Sequence, residues 1–194
     1  DPVRFIGNRS SGKQGIALAK AARDRGAQVH LIAANCDVAD LKGIEVIEVE
    51  TTSQMQSALQ SQFDQCNILI MSAAVADARP SHVAQEKIKK ASLSSIELEA
   101  NPDLLAEIAS RKSTQILVGF AAETKDHLQE ARRKLEAKGL DVIYVNDVSG
   151  GAIFGQDTTM GTILVRNEAD IAVKEVSKDA LSNTLLDQAI RQLG

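Results

Sequence analysis

Residues 7–15 read GNRSSGKQG, a run of small and polar residues between an apolar tetrapeptide and a stretch with helical spacing. Such a turn can hold a phosphate. The first amides of a helix lack carbonyl partners and lie at the positive end of its dipole, and Gly12 and Gly15 let an anion approach the backbone. An ordinary tight βα turn reads similarly, so the pattern needs company. Residues 72–80, SAAVADARP, have small side chains that leave backbone amides and carbonyls accessible to a flat ligand. Residues 86–90, EKIKK, with Arg79 upstream, form a basic stretch that can neutralise charge gathering on a polyphosphate, although lysine clusters more commonly decorate a solvated face. Residues 119–124, GFAAET, follow another apolar run, and Lys134 and Lys138 stand four residues apart on one face of the next helix.

Two familiar signatures fit less well. Gly7, Gly12 and Lys13 match the GxxxxGK part of a P-loop, but Gln14 stands where a Ser or Thr hydroxyl should hold magnesium. The GxGxxG of a dinucleotide site is missing, and Asn35, Cys36 and Asp37 match its ribose-binding acid only weakly. His30, His82 and His127 are scattered, with neither a paired nucleophile nor metal-ligand spacing. Cys36 and Cys66 form neither a zinc spacing nor a disulfide framework and read as two reduced thiols.

The elements that must position these loops alternate along the chain. Strands are expected at residues 3–6, 28–33, 45–49, 67–71, 115–120 and 141–145. Helices are expected from about Gly12 to the stop at Gly26, after Thr52 or Ser53, from Asn101 with Asn101 as cap and Pro102 in the first turn, over 126–138, and over 178–193. This predicts an α/β, doubly wound, Rossmann-like and mostly parallel sheet with helices on both faces. Ligands bind at the carboxyl ends of strands in such sheets, which is where the four segments above fall. Beyond Asn146 a glycine-rich loop at 149–161 precedes two short β segments, 162–165 and 171–176, joined as a hairpin at 167–170.

At 194 residues, with 44% hydrophobic and 25% charged content, the chain is expected to form a single domain over 1–194. A net charge of -4 with interspersed signs argues against a nucleic-acid partner. No apolar run is long enough to span a membrane and no signal-peptide pattern opens the chain, so a cytoplasmic location is expected. The chain opens on Asp1, which reads as a piece of a longer polypeptide.

Taken in order, DPVRFIGNRSSGK at 1–13, SAAVADARP, EKIKK, NPD at 101–103, GFAAET and YVND at 144–147 resemble phosphopantothenoylcysteine synthetase over nearly the whole chain. The likeness is to the synthetase half of the bacterial bifunctional coenzyme A biosynthesis protein, whose other half is a flavin-dependent decarboxylase. It implies a ligase that uses CTP and Mg2+ to join 4'-phosphopantothenate to L-cysteine through an acyl-cytidylate, releasing pyrophosphate and then CMP, with no flavin in this domain. By the same resemblance Lys87 is the flap lysine of the first step, Asn8 acts on the activated acyl group in the second, and Arg4 binds the substrate phosphate, with Ala74 beside them. Nucleotide contacts are implied for Ser11, Gly12, Met71, Ser72, Ala73, Asp77, Lys87, Asn101, Pro102, Asp103, Leu104, Phe120, Lys134 and Lys138, while the metal ligands stay unassigned. The sequence departs from the family pattern at Gln14, commonly Met, and at Ala78, commonly Tyr. A homodimer is also implied, with the late β-hairpin a candidate for its joint or for the sheet edge, as is a fused or partnered decarboxylase. The alternatives are a P-loop-like nucleotide hydrolase and a nucleotide-binding regulatory module without catalysis.

Overall fold

The computed structural model describes residues 1–39, 41–90, 95–123, 127–147 and 156–194. Helix α1, Lys13–Asp24, starts after Gly12, whose φ of 70° is a left-handed conformation that glycine adopts at little cost. It leads to β1, His30–Ala34, which pairs in parallel with β2, Glu45–Val49. Helix α2, Thr52–Gln62, begins in a capping box: Thr51 Oγ1 accepts from the Gln54 amide at 3.2 Å and Gln54 Oε1 accepts from the Thr51 amide at 3.0 Å. The chain continues through β3, Ile68–Met71, the short strands β4, Ala78–Pro80, and β5, Leu98–Ala100, and helix α3, Leu104–Ala109. Then come β6, Ile116–Glu123, α4, His127–Ala137, β7, Val142–Asp147, β8, Thr158–Val165, β9, Ile171–Ser177, and α5, Lys178–Arg191.

The main sheet runs β3-β6-β7-β8-β9, parallel through β7 and antiparallel at β8 and β9. Alternation of apolar side chains sends Leu117, Ile143 and Val145 to a core with α2, α3 and α4, and Val118, Val142 and Tyr144 to a second core with α1 and α5. The half-buried Asp141 carboxylate ties the starts of β6 and β7: it accepts from Lys112 Nζ at 2.5 Å and from the Leu117 amide at 2.8 Å.

Several expectations are corrected. Residues 3–6 form no strand; Val3 and Phe5 are 61% and 77% exposed. The Asp1 carboxylate accepts from the amides of Val3 at 3.1 Å and Arg4 at 3.0 Å, a local turn that competes with a ladder. Helix α3 is capped by Asp103, whose Oδ1 accepts from the Ala106 amide at 3.1 Å, and not by Asn101. Asn101 is drawn away because its side chain donates to the Ala76 carbonyl at 2.8 Å and its amide to the Asp77 carbonyl at 2.8 Å. The antiparallel β4–β5 pair was not anticipated, since a proline in one strand and LEA in the other are poor strand signals. The late hairpin starts earlier than expected, at Thr158, and forms the antiparallel edge of the main sheet. Residues 149–155 of the glycine-rich loop and Thr124 of GFAAET lie outside the described residues.

Candidate active site at the carboxyl ends of the strands

The start of α1 sits where the loops after β1 and β3 converge. A Cβ on Gly12 would lie 2.5 Å from Cys36 Cβ, and one on Gly15 would lie 3.0 Å from Ser72 Oγ, so both glycines serve close approach as well as open amides. Asn8 is exposed, and its Nδ2 donates to the carbonyls of Ala74 at 3.4 Å and Val75 at 3.2 Å. The glycine-rich turn and the small-residue loop therefore share one edge, with Ala73, Ala74 and Asp77 exposed beside them.

The β4–β5 pair carries the loop that holds EKIKK. Arg79 is committed to its base: Nε bonds Glu99 at 2.8 Å and Nη1 donates to Asn101 Oδ1 at 2.8 Å. The loop is fastened to the start of the chain by a two-residue clamp. The Asp1 carboxylate accepts from the Ile88 amide at 3.2 Å and from Arg4, and Arg4 Nη2 donates to the Ile88 carbonyl at 3.0 Å. Asp1 is 2% exposed at its side chain and Arg4 42%, so Arg4 keeps one open side while its charge is partly balanced. Lys87, the residue before Ile88, is exposed and has no ion-pair partner among the described residues. The clamp thus fastens the loop that carries exposed Lys87 to the segment that carries Asn8.

Two further contacts order the neighbouring edge. Lys138, one residue past α4, bonds Asp103 at 2.7 Å, joining the NPD segment to that helix. Burial raises the Asp103 carboxyl, but the hydrogen bonds from Lys138 and the Ala106 amide outweigh it and hold the group below the usual carboxylate range. A carboxyl lowered on folding contributes stability above its unfolded pKa and loses it as pH falls toward the folded value. Asp103→Asn should therefore lower Tm at neutral pH, and the gap to wild type should close as pH drops below about 4; a gap independent of pH in thermal melts would contradict this. Phe120 is half-buried and meets Tyr144 edge-on at 5.7 Å, while the Tyr144 hydroxyl lies 2.9 Å from Thr159 Oγ1, which donates to Asn146 Oδ1 at 2.7 Å. Burial pushes the Tyr144 phenol up, which suits a neutral hydrogen-bonding role.

A cleft of about 560 Å³ at the ends of β1 and β2 is lined by residues including Cys36, Asp37, Glu48 and Glu50. Its carboxylates repel a triphosphate, so it does not compete for the phosphates. Burial pushes the Cys36 and Cys66 thiols up, which disfavours the thiolate a nucleophile needs.

Residues 1–193 match the family model of the DNA/pantothenate metabolism flavoprotein C-terminal domain. The chain belongs to that family. It is 42% identical over 200 residues to the coenzyme A biosynthesis bifunctional protein CoaBC of Mycolicibacterium smegmatis, covering 96% of this chain and 48% of that protein. It is 43% identical over 191 residues to the protein of the same name from Bacillus subtilis, covering 97% and 47%. The chain thus spans about half the length of the curated relatives it matches. Among solved structures, the C-terminal domain of a CoaBC protein aligns with a TM-score of 0.85 and 30% identity, over 100% of this chain and 88% of that one. The resemblance carried by the ordered motifs and the Rossmann-like α/β fold are borne out.

In this chain the sequence-predicted residues separate into groups. Asn8, Ala74 and the 72–77 loop meet directly, and Arg4 and Lys87 are joined through Ile88. Asp103 and Lys138 meet, and Leu104 is buried beneath them in the first turn of α3. Lys134, Met71 and Phe120 are half-buried on the neighbouring helix and strand ends, whereas Ser11 and Pro102 are exposed. Gln14 points elsewhere: its Nε2 donates to the buried Ser182 at 2.8 Å and to the Lys178 carbonyl at 3.3 Å, fastening α1 to α5. Lys13 pairs with Asp157 at 2.7 Å. The sequence reading missed Asp1, whose only signal was its place before Pro2 in a polar turn, and it missed Thr159, which has no motif around it. No three His, Cys, Asp or Glu cluster among the described residues to hold a metal, and no helix among them is long and apolar enough to cross a membrane. Exposed Asp77 offers one carboxylate that a magnesium ion could use, whereas the loop amides, as N–H donors, suit phosphate oxygens and not a cation.

Proposed function

We propose that this chain is the ligase half of a coenzyme A biosynthesis protein and joins 4'-phosphopantothenate to L-cysteine at the expense of CTP. The observation that carries the reading is the Asp1–Arg4–Ile88 clamp, which fastens the loop of Lys87 to the same N-terminal segment whose Asn8 is bonded to the 72–77 loop. Family membership over residues 1–193 and the relatives' names support the same direction.

A carboxylate has no adequate leaving group, so its oxygen first attacks the α-phosphorus of the nucleotide and pyrophosphate departs. Two anions meet in that step, and the Lys87 ammonium screens them. The amine nitrogen of cysteine then attacks the acyl carbon, the bond to the CMP oxygen breaks, and the amine proton leaves with solvent or CMP. Asn8 supplies an uncharged donor to the acyl oxygen, and the open side of Arg4 faces the substrate phosphate. Magnesium, when bound, would draw charge from the phosphates, held in part by Asp77. The domain works as a homodimer in the cytoplasm, attached to a decarboxylase partner.

Incubation with phosphopantothenate, CTP, magnesium and cysteine should release CMP and pyrophosphate together; CTP turnover indifferent to phosphopantothenate would refute the proposal. Asn8→Asp replaces the donor with a charge, so acyl-cytidylate should accumulate and the second step slow by about 10²-fold, read by quenched-flow with labelled CTP. The P-loop hydrolase alternative loses its support, because Lys13 is held by Asp157 and Gln14 by α5. CTP binding by titration without turnover would instead favour a regulatory module.

A further inference from the structure

The arm that carries EKIKK stands on two strands of three residues each, β4 and β5, paired Ala78 to Ala100, Arg79 to Glu99 and Pro80 to Leu98. So short a pair holds no direction alone. Burial does not supply one either, since all three residues of β5 are exposed, Leu98 by 53%. Polar cross-links do. Arg79 Nε donates across the pair to Glu99 Oε1 at 2.8 Å, and Arg79 Nη1 reaches one residue past β5 to Asn101 Oδ1 at 2.8 Å. The rigid guanidinium fork thus fixes both the returning strand and the segment that follows it.

Asn101 passes that constraint to the small-residue loop. Its Nδ2 donates to the Ala76 carbonyl at 2.8 Å, and its backbone amide donates to the Asp77 carbonyl at 2.8 Å. The two preceding carbonyls, Ala74 and Val75, accept from Asn8. Four consecutive carbonyls are therefore held by two asparagines, one in the glycine-rich turn and one at the foot of the arm. The sequence expects Asn101 to touch the nucleotide, yet both polar atoms of its side chain and its amide are engaged within the chain. It acts on the site through what it holds.

We infer that Arg79 and Asn101 are positioning residues that bind the foot of the Lys87 arm and the 74–77 loop into one frame, so that arm and loop keep their mutual placement while the nucleotide is attacked. Charge is not the device. Arg79 and Glu99 are 47% and 49% exposed at their side chains, where an ion pair contributes little, and the directional bonds set the geometry. The effect on rate rests on the ligase proposal, whereas the frame rests on these contacts alone.

The test reads each partner from the other's side, by amide hydrogen exchange on the unliganded chain and by single-turnover formation of acyl-cytidylate. Arg79→Met should speed exchange of the Asn101 amide by about tenfold, with β6 and β7 unchanged. Asn101→Ala should do the same to the Ser81 amide, which donates to the Glu97 carbonyl at 3.0 Å. Arg79→Lys keeps the charge and loses the fork, so its effect should be intermediate, and Glu99→Gln keeps the acceptor, so exchange should stay within about threefold of wild type. Arg79→Met and Asn101→Ala should each slow acyl-cytidylate formation by about 10- to 100-fold while Kd for CTP moves less than about threefold. The double variant should be no slower than the slower single one. Exchange that fails to change across the frame overturns the inference whatever the rates do. Loss of CTP affinity in proportion to rate also overturns it, by making either residue a nucleotide contact. Crosswise exchange effects in a chain that forms no acyl-cytidylate would uphold the frame and refute the ligase proposal alone.

Discussion

Lys87→Gln should abolish acyl-cytidylate formation, with pyrophosphate release falling by about 10²–10³-fold and CTP binding weakened far less. Arg79 is bonded to Glu99 and Asn101, Arg4 shares its charge with Asp1, and Lys138 is paired with Asp103. Lys87 is exposed without an ion pair among the described residues, and its neighbour Ile88 is pinned on both backbone groups. An ammonium on a tethered loop can close over charge that develops in the transition state and contribute less to the ground state, which lowers kcat more than it raises KM. Glutamine keeps length and removes charge. A variant that loses CTP affinity and rate in equal proportion would make Lys87 a ground-state contact only. A variant that forms acyl-cytidylate normally but fails to pass it to cysteine would exchange the roles of Lys87 and Asn8.

Gly161→Val should be the most damaging change to the fold. Gly161 lies opposite Asn146 in the β7–β8 ladder, and a Cβ there would stand 2.0 Å from the Val145 carbonyl oxygen and 3.0 Å from the Tyr144 hydroxyl. Backbone cannot yield as a flexible side chain does, so β8 must shift, and the Tyr144–Thr159–Asn146 hydrogen bonds go with it. A loss of about 3 kcal/mol or more is expected, about 10 °C in Tm for a domain of this size, measured by thermal unfolding, with most of the effect already present in Gly161→Ala. An alanine variant with the wild-type Tm would show that the strand has room.

Legibility followed the range of the interaction that settles each feature. The bounds of β2 are a local matter, and 45–49 could be read directly, whereas α2 begins at Thr52 behind its Thr51 cap, slightly before the expected start after Thr52 or Ser53. The helix expected over 126–138, observed at His127–Ala137, was readable for the same reason, and so was the mostly parallel character of the sheet, whereas its strand order was not. Residues 3–6 misled because VRFI has strand composition, while its conformation is set by the Asp1 carboxylate on one side and Ile88 on the other. Asn101 misled because its best partner, the Ala76 carbonyl, is distant in sequence. Gln14 looked like a defect in a phosphate turn; its partner on α5 gives it a packing role that no local pattern contains.

By itself the sequence determined the α/β class, the strand-to-helix turns that build the site, and, through ordered motifs, membership of the family, because each of these is written in short segments. Only the tertiary structure decided which charges are available. Lys87, Arg4, Arg79, Lys13 and Lys138 are all cationic, and what distinguishes them is the carboxylate that folding brings within about 3 Å: Asp1, Glu99, Asp157 and Asp103 engage four of them, while Lys87 has no ion pair among the described residues.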